Sequence, residues 1–273
     1  MLLTWLYVPG DRPDRFAKAV AAGADAVILD LEDAVAAGRK SYARDAVAEF
    51  LAEPHPLPVQ VRVNELTGPE LDADLAAVAG RPGLAGLRLP KVESPASVAA
   101  LAARVNTPLH PLIESALGLE AAYAIATAHP AVASVGLGEA DLRSDLRVDD
   151  EAGLAWARSR VVVAARAAAL APPAMSVYAN VADTDGLAAS CAVGRRLGLL
   201  GRAAIHPRQL PVIAEAFRPA ERDVARAEEL LAAVAEAQTR DSGTVVLPDG
   251  RFADRAMVAA ARRTVDLAAR YAA

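Results

Sequence analysis

Eight short apolar runs, rich in β-branched residues, alternate with amphipathic, alanine-rich segments along most of the chain, and that alternation restricts the fold more than any other feature. The runs are WLYV (5–8), AVILDL (26–31), PVQVRVN (58–64), GLRLPK (86–91), LHPLIE (109–114), VASVGLG (132–138), MSVYAN (175–180) and RAAIHP (202–207). Between them, residues 13–22, 39–52, 69–79, 95–104, 117–128, 152–170 and 184–198 carry helical periodicity, several opened by Pro or by an Asp, Ser or Thr cap. Strands that alternate with helices build a parallel sheet. Eight such strands close a (β/α)8 TIM barrel, which we favour over an open doubly wound sheet. The period is supersecondary only, without repetition of sequence.

After Pro211 the pattern changes. Residues 220–238 predict a polar-faced helix, TVVLPDGRFAD a hairpin around Asp249-Gly250, and 255–271 a last helix. We therefore expect a barrel catalytic domain over 1–218 and a small helical and hairpin extension over 219–273. The extension is too short to stand alone and is expected to pack on a neighbouring subunit.

Composition narrows the function. A net charge of −5 offers no basic field for nucleic acid or anionic lipid. With aromatics at 4%, the core has to be built from Leu, Val, Ile and Ala. The lone Cys191 excludes a disulfide framework and any CxxC site. MLLTWLYVPGDR lacks a basic segment and meets Pro9-Gly10-Asp11 too early for a signal peptide. AAYAIATAHPAVASVGLG is broken by His129-Pro130 and is no membrane span. A cytoplasmic protein is expected.

The polar residues fall at the ends of the runs: Asp30 and Glu32, Arg62 and Asn64, Lys91, Glu114, Gly138 to Asp141, Asn180, His206. In a β/α barrel the C-terminal strand ends form the active site, so these groups converge. Within AVILDLEDAV, like charges about 4 Å apart at an effective dielectric of about 20 cost on the order of 4 kcal/mol per pair. Alternation sends Asp30 and Glu32 to one face and Asp33 to the other, toward the following helix. Glu114 and Asp141 form the sharpest pair, because they end neighbouring strands about 4.8 Å apart. Two carboxylates suit Mg²⁺, with Mn²⁺ as an alternative, since waters and substrate complete an octahedron. The four His residues are scattered, which argues against zinc. Arg62, inside the mouth, needs a carboxylate from Asp30, Glu32 or a substrate. Lys91 is a candidate for substrate contact. No dinucleotide fingerprint, P-loop or GxSxG is present.

LYVPGDRPDRFAKAVAAGADAVILDLEDAV, VRVN, LPKVES, PLIESALGL, GLGEADLRSDL and IHPRQLPVIAEAF together resemble the citrate lyase β-subunit-like branch of the HpcH/HpaI aldolase family. The resemblance runs in order from Tyr7 to Phe217, and GRFADRAMV resembles the family's C-terminal signature. It implies an oligomeric β/α barrel, a trimer or hexamer, that uses Mg²⁺ to cleave or form a carbon–carbon bond beside a coenzyme A thioester. By position Glu114 and Asp141 match the metal ligands, and Arg62 matches the arginine that holds the substrate's carboxylate and oxo group. The backbone at Gly138, Glu139 and Ala140 matches the loop for the 2-oxo acid carboxylate. Asp254 matches an aspartate that enters a neighbouring subunit's site as acid or base; Asp30, Glu32 and water are alternatives for that role.

The implied substrates are an acyl-CoA thioester of malyl, citramalyl or citryl type and a 2-oxo acid. Malyl-CoA thioesterase or malate synthase activity, and a carrier-dependent subunit of a citrate lyase complex, are the alternatives. The sequence departs from the family at Met175 and Asn180, where relatives often carry Asp. It departs again at Phe252-Ala253-Asp254-Arg255-Ala256, where relatives more often show Met-Ile/Val-Asp-Arg-Pro.

Overall fold

The computed structural model describes residues 2–239 and 253–271. They divide into two compact units, Leu2–Phe217 and the segment from Arg218 onward. Seven parallel strands form the sheet of the first unit: β1 (Thr4–Pro9), β2 (Ala26–Asp30), β3 (Val59–Arg62), β4 (Leu84–Leu89), β5 (Leu109–Ile113), β6 (Gly136–Leu137) and β7 (Arg202–Ala204). Their spatial order is β6-β5-β4-β3-β2-β1-β7. The helices between them are α1 (Phe16–Val20), α2 (Lys40–Phe50), α3 (Leu71–Val78), α4 (Pro95–Ala102), α5 (Ala116–Glu120), α6 (Ala122–Ala126), α7 (Glu139–Leu146), α8 (Ala155–Ala167), α9 (Thr184–Arg196) and α10 (Gln209–Phe217). In the second unit α11 (Glu221–Thr239) packs on α12 (Arg255–Arg270).

Local chemistry accounts for the helix starts. Ser94 Oγ accepts from Ala96 N ahead of Pro95, Ser115 Oγ accepts from Gly118 N, and Asp183 Oδ1 accepts from Gly186 N. Every residue of β2 is buried, as a parallel strand covered on both faces requires.

The sheet is strongly curled. Trp5 on β1 and Arg88 on β4 are separated by two intervening strands, yet the guanidinium lies 5.8 Å from the indole centroid. Arg62 on β3 likewise sits 5.2 Å over the Tyr7 ring. These side chains therefore share the concave face. On β1 the alternation is inverted relative to an open sheet: the outward Thr4, Leu6 and Val8 are buried under helices, while the inward Trp5, Tyr7 and Pro9 are half-buried.

The expected eighth strand is where sequence and structure part. Among the described residues, 175–180 contributes a single parallel bridge, Met175 to Arg202. Pro172 and Pro173 precede it without N–H groups to donate, and Tyr178 turns away to bond Asp183 at the start of α9. The run 132–138 shortens to Gly136–Leu137, with a bridge from Val132 to Leu109. Segment 117–128 forms two short helices divided at Ala121, for which the structure offers no reason. The hairpin expected around Asp249-Gly250 lies outside the described residues. No helix among the described residues is long and apolar enough to cross a membrane.

Candidate functional site

At the C-terminal end of β2, Asp30 organises its own loop. Its Oδ1 accepts from the backbone N–H of Glu32 at 3.0 Å and its Oδ2 from that of Ala34 at 3.1 Å. The same two oxygens take Arg62 Nε at 2.7 Å and Nη2 at 2.6 Å, a bidentate pair with four bonds on one buried carboxylate. These partners hold the Arg62 guanidinium protonated against the cost of its burial.

Glu32 follows on the same face. Its oxygens lie 3.0 Å from Arg62 Nη1 and 3.0 Å from Lys91 Nζ, but neither approach has hydrogen-bond geometry, so both buried oxygens keep unused acceptor directions. Burial pushes its carboxyl above the ordinary range, and Arg62 and Lys91 pull the other way. Lys40 clamps the loop from beneath, its ammonium donating to Leu31 O, Glu32 O and Asn64 Oδ1 at 2.7, 2.8 and 2.7 Å. Asp33 is exposed and lies 3.9 Å from Lys91. It caps no helix, since its loop runs on through Ala36 before the next helical turn begins; the expectation that it serves the following helix is corrected.

Lys91 adopts a left-handed backbone, φ 51°, which is costly for a residue with a Cβ. The conformation aims its N–H at Glu114 Oε2, 3.2 Å away. Its ammonium goes to Glu65 at 2.8 Å as well as to Glu32, so carboxylates already surround it. A cavity of about 260 Å³ opens here, lined among others by Glu32, Asp33, Lys40, Asn64, Glu65 and Lys91.

Glu114, just past β5, is buried at 5% exposure and has the Lys91 N–H as its backbone partner. It is free of any capping duty, because Ser115 caps α5 and Asp145 accepts from Ala116 N. Burial, then the charges of Asp141 and Glu32, raise its pKa to about 8. Asp141 stands exposed in the first turn of α7. Gly138, the N-cap of α7, admits the carboxylate: a Cβ there would lie 2.3 Å from Glu114 Oε1.

This donor set fits a hard divalent cation. Two facing carboxylates repel and hold a proton unless a positive charge joins them, and the room around Gly138 and Asp141 is accessible. Among the described residues no three Asp, Glu, His or Cys residues form a metal cage. Mg²⁺ needs only one or two carboxylates and keeps water or substrate oxygens elsewhere.

The loop that follows is held from outside. Glu139 is bound bidentately by Arg158 at 2.8 and 2.6 Å, and Arg158, 2% exposed, also takes Glu151 at 2.7 Å. Glu139's side chain therefore points away from the substrate side, and its N–H donates to Ser176 Oγ at 3.3 Å. The N–H groups of Ala140 and Asp141, which a helix's first turn leaves without intrahelical acceptors, remain. Asp254 belongs to the second unit, where its Oδ1 caps α12 through Met257 N at 2.7 Å.

Sequence reasoning missed Arg158, which reads as an ordinary helix residue, and two inward groups, Tyr7 and Arg88. The latter pair was findable: Arg88 is the register partner of Arg62, and Tyr7 lies two residues before Pro9, the register partner of Asp30.

Comparison with known proteins identifies the family. The profile of the HpcH/HpaI aldolase/citrate lyase family matches residues 3–207. The citrate lyase subunit beta of Leuconostoc mesenteroides subsp. cremoris is 32% identical, the match covering 97% of this chain and 92% of that protein. A (3S)-malyl-CoA thioesterase of Cereibacter sphaeroides is 35% identical over 95% of this chain and 92% of its own. Among solved structures, CitE from Mycobacterium tuberculosis in complex with magnesium, acetoacetate and coenzyme A superposes with a TM-score of 0.82, at 31% identity and 98% coverage of both chains. The citrate lyase beta subunit from M. tuberculosis complexed with oxaloacetate and magnesium gives a TM-score of 0.71 at 35% identity, over 79% of this chain and 96% of that one. With the profile matching residues 3–207 and relatives at 32% and 35% identity matched over nearly the whole chain, the chain belongs to the HpcH/HpaI aldolase/citrate lyase family of lyases.

Proposed function

We propose that the chain is a Mg²⁺-dependent carbon–carbon lyase that cleaves or forms a 3-hydroxyacyl-CoA thioester of malyl, citramalyl or citryl type, releasing or taking up a 2-oxo acid and an acyl-CoA. The observation that carries this reading is Glu114: a buried carboxylate, facing Asp141, with one backbone donor and no cationic side chain bonded to it. Glu114 and Asp141 would hold the cation, Mg²⁺ or Mn²⁺. Once bound, it supplies Lewis-acid stabilisation of negative charge developing on a substrate oxygen.

The chain's own residues do the rest. In the cleavage direction the bond between the hydroxyl carbon and the thioester α-carbon breaks. The hydroxyl proton leaves to a base, the oxygen becomes the oxo group, and the electron pair passes to the thioester enolate, which is later protonated on carbon. Arg62, locked by Asp30 and standing beside Glu32, supplies fixed positive charge to the oxygen where charge changes, and a group so preorganised does not have to reorient during the step. The first-turn N–H groups at Ala140 and Asp141 receive the 2-oxo acid's carboxylate. Lys91 balances the charge of Glu32, whose buried carboxylate holds the Arg62 guanidinium and the Lys91 ammonium beside the site. Asp254, delivered from a neighbouring copy, is our choice for the proton transfer, with Asp30 and Glu32 as alternatives.

The same proposal includes a cytoplasmic homo-oligomer, a trimer or hexamer, with a catalytic domain over 1–218 and an extension over 219–273. It also includes an eight-position barrel in which 175–180 fills the gap between β6 and β7. Support for closure is the Met175–Arg202 bridge on one side and the Glu139–Ser176 hydrogen bond on the other.

A screen of CoA thioesters with Mg²⁺, read by mass spectrometry, tests the reading. A 2-oxo acid plus an acyl-CoA is expected; free CoA with an intact hydroxy acid would replace it by thioester hydrolysis, the reading favoured by the likeness to the malyl-CoA thioesterase. Turnover of free thioesters by the isolated chain would exclude a carrier-dependent citrate lyase subunit, the reading favoured by the likeness to the Leuconostoc subunit.

A further inference from the structure

Arg62 and Arg88 are register partners on β3 and β4, and both face the concave side. Arg62 has Asp30 and Glu32. Arg88, at 8% exposure, has neither: its Nε donates to Gln60 Oε1 at 2.9 Å, its guanidinium lies over Trp5 and faces the Tyr7 hydroxyl, and the charged neighbour that acts on it is Arg62. Among the described residues no carboxylate faces it, and burial lowers its pKa. A buried cation without a counter-charge is strongly unfavourable, so its retention needs a reason.

The cation borders open space. The sealed side-chain atoms without a hydrogen bond are, among the described residues, the two oxygens of Glu32, so the Arg88 Nη groups are not sealed. Among the described residues the neutral Tyr7 hydroxyl is the partner that Arg88 has besides Gln60, and no carboxylate joins it. Beside the guanidinium lie the half-buried rings of Trp5 and Tyr7. The charges of Arg88, Arg62, Asp30 and Glu114 all act on the Tyr7 hydroxyl, and the Tyr7 ring lies under Arg62 at 5.2 Å.

The surroundings are built to hold the fork still without neutralising it. Gln60 Nε2 donates to His110 Nε2 at 3.2 Å, and His110 Nδ1 then donates to Ser134 Oγ at 2.8 Å. Burial and Arg88 keep the imidazole neutral, at a pKa of about 3. Gly86 makes room for that ring, since a Cβ there would meet His110 Nε2 at 2.5 Å. An aspartate at position 60 or 110 would satisfy Arg88 from within; the chain supports it by neutral groups instead.

We propose that Arg88, with Tyr7 and Trp5, forms an anion subsite within the curl of the sheet, next to Arg62, that takes a second carboxylate on the 2-oxo acid half of the substrate. The preferred 2-oxo acid is then a dicarboxylate. The proposal rests on the reading of Glu114, Asp141 and Arg62 as a 2-oxo acid site. A planar guanidinium whose Nε is pinned by Gln60 offers its outer Nη edge to a carboxylate, and Trp5 beneath it excludes water from one face.

The test uses the full chain with Trp156→Phe, which leaves Trp5 as the single tryptophan of the two. The Mg²⁺-loaded protein is titrated with pyruvate, 2-oxobutanoate, oxaloacetate and 2-oxoglutarate, following Trp5 fluorescence and calorimetric heat. Oxaloacetate is expected to bind at least about tenfold more tightly than pyruvate. Arg88→Met removes that preference while pyruvate stays within about twofold, and Arg88→Lys keeps part of it. Because an uncompensated cation is lost, Arg88→Met also melts at or above the wild-type temperature. Pyruvate binding with no dicarboxylate preference, or an Arg88→Met loss shared equally by all four acids, or a lower melting temperature with the preference intact, overturns the subsite alone. Failure of every 2-oxo acid to bind overturns the reading of the carboxylate site beneath it as well.

Discussion

Glu114, just past β5, and Glu139, the first residue of α7, both adjoin Gly138 and are both buried, and they treat negative charge in opposite ways. Glu139 is closed: Arg158 grips both oxygens and Glu151 completes the cluster. Glu114 is open: one backbone N–H reaches it, and the neighbouring charges of Asp141 and Glu32 push its proton affinity up. The same division separates Asp30 with Arg62, closed by four hydrogen bonds, from Arg88, which no carboxylate among the described residues faces. Closed clusters fix geometry and carry stability. Open groups are unfavourable in the protein alone, and a ligand of opposite charge completes them. Substitutions therefore separate the two kinds by whether stability or activity falls.

The largest effect is expected at the open carboxylate. Glu114→Gln loses turnover by on the order of 10³-fold, because a neutral amide no longer attracts the cation that stabilises developing charge. Its urea midpoint stays at or above wild type, since burial and the charges of Asp141 and Glu32 already disfavour the ionised carboxylate that the amide replaces. Asp141→Asn follows in the same direction with a smaller loss, being exposed and replaceable by water. Wild-type turnover in Glu114→Gln, or full turnover in excess EDTA, would sink the metal assignment.

Arg62→Met breaks a closed pair and is expected to cost both quantities. Asp30, 1% exposed, keeps its two backbone donors but loses its cation, a change worth about 3–5 kcal/mol of stability. Urea denaturation reads it directly. A variant that unfolds like wild type while losing activity would erase the distinction between closed and open groups. Arg158→Met makes the same break away from the substrate side, with a stability loss of about 2–3 kcal/mol and a weaker Mg²⁺ requirement curve as the Gly138–Asp141 turn loosens. Pairing it with Glu139→Gln in a double-mutant cycle should recover much of the stability, and strict additivity would show that the two side chains do not act as a unit.

The strand-end groups were partly legible in the sequence because a strand has period two. Asp30, Arg62 and Glu114 sit at inward strand ends, and once the strands are placed their convergence follows. Arg88 has the same register, but it precedes Leu89-Pro90-Lys91, and the terminal lysine drew attention from the inward arginine. What Lys91 contributes most directly to the site, a backbone N–H aimed by a left-handed φ, is invisible to residue type. The helix at EADLRSDL reads as a run of acids at a strand end, since its hydrophobic signal is a single buried leucine, Leu142, with the buried Glu139 beside it. The run MSVYAN has strand-like composition, yet the two prolines before it and the Tyr178–Asp183 bond after it leave one bridge. Period-two signals survive where neighbours on both sides can pair, and fail at this seam.

The smallest expected effect concerns the neutral groups that support Arg88. His110, held in the fold with a pKa of about 3, titrates near 6.5 when unfolded. Between those values the unfolded chain binds a proton that the folded chain refuses, so acid favours unfolding. The contribution is absent above about pH 6.5 and grows by up to about 1.4 kcal/mol per pH unit as the pH falls toward 3. His110→Gln keeps a neutral partner for Gln60 and removes the titration. Its stability is expected to match wild type within about 1 kcal/mol at pH 7.5 and to exceed it by pH 5, as read from urea midpoints at several pH values. Parallel pH profiles for the two proteins would mean that the imidazole takes up its proton without leaving the fold, and that the support of Arg88 does not depend on a neutral ring.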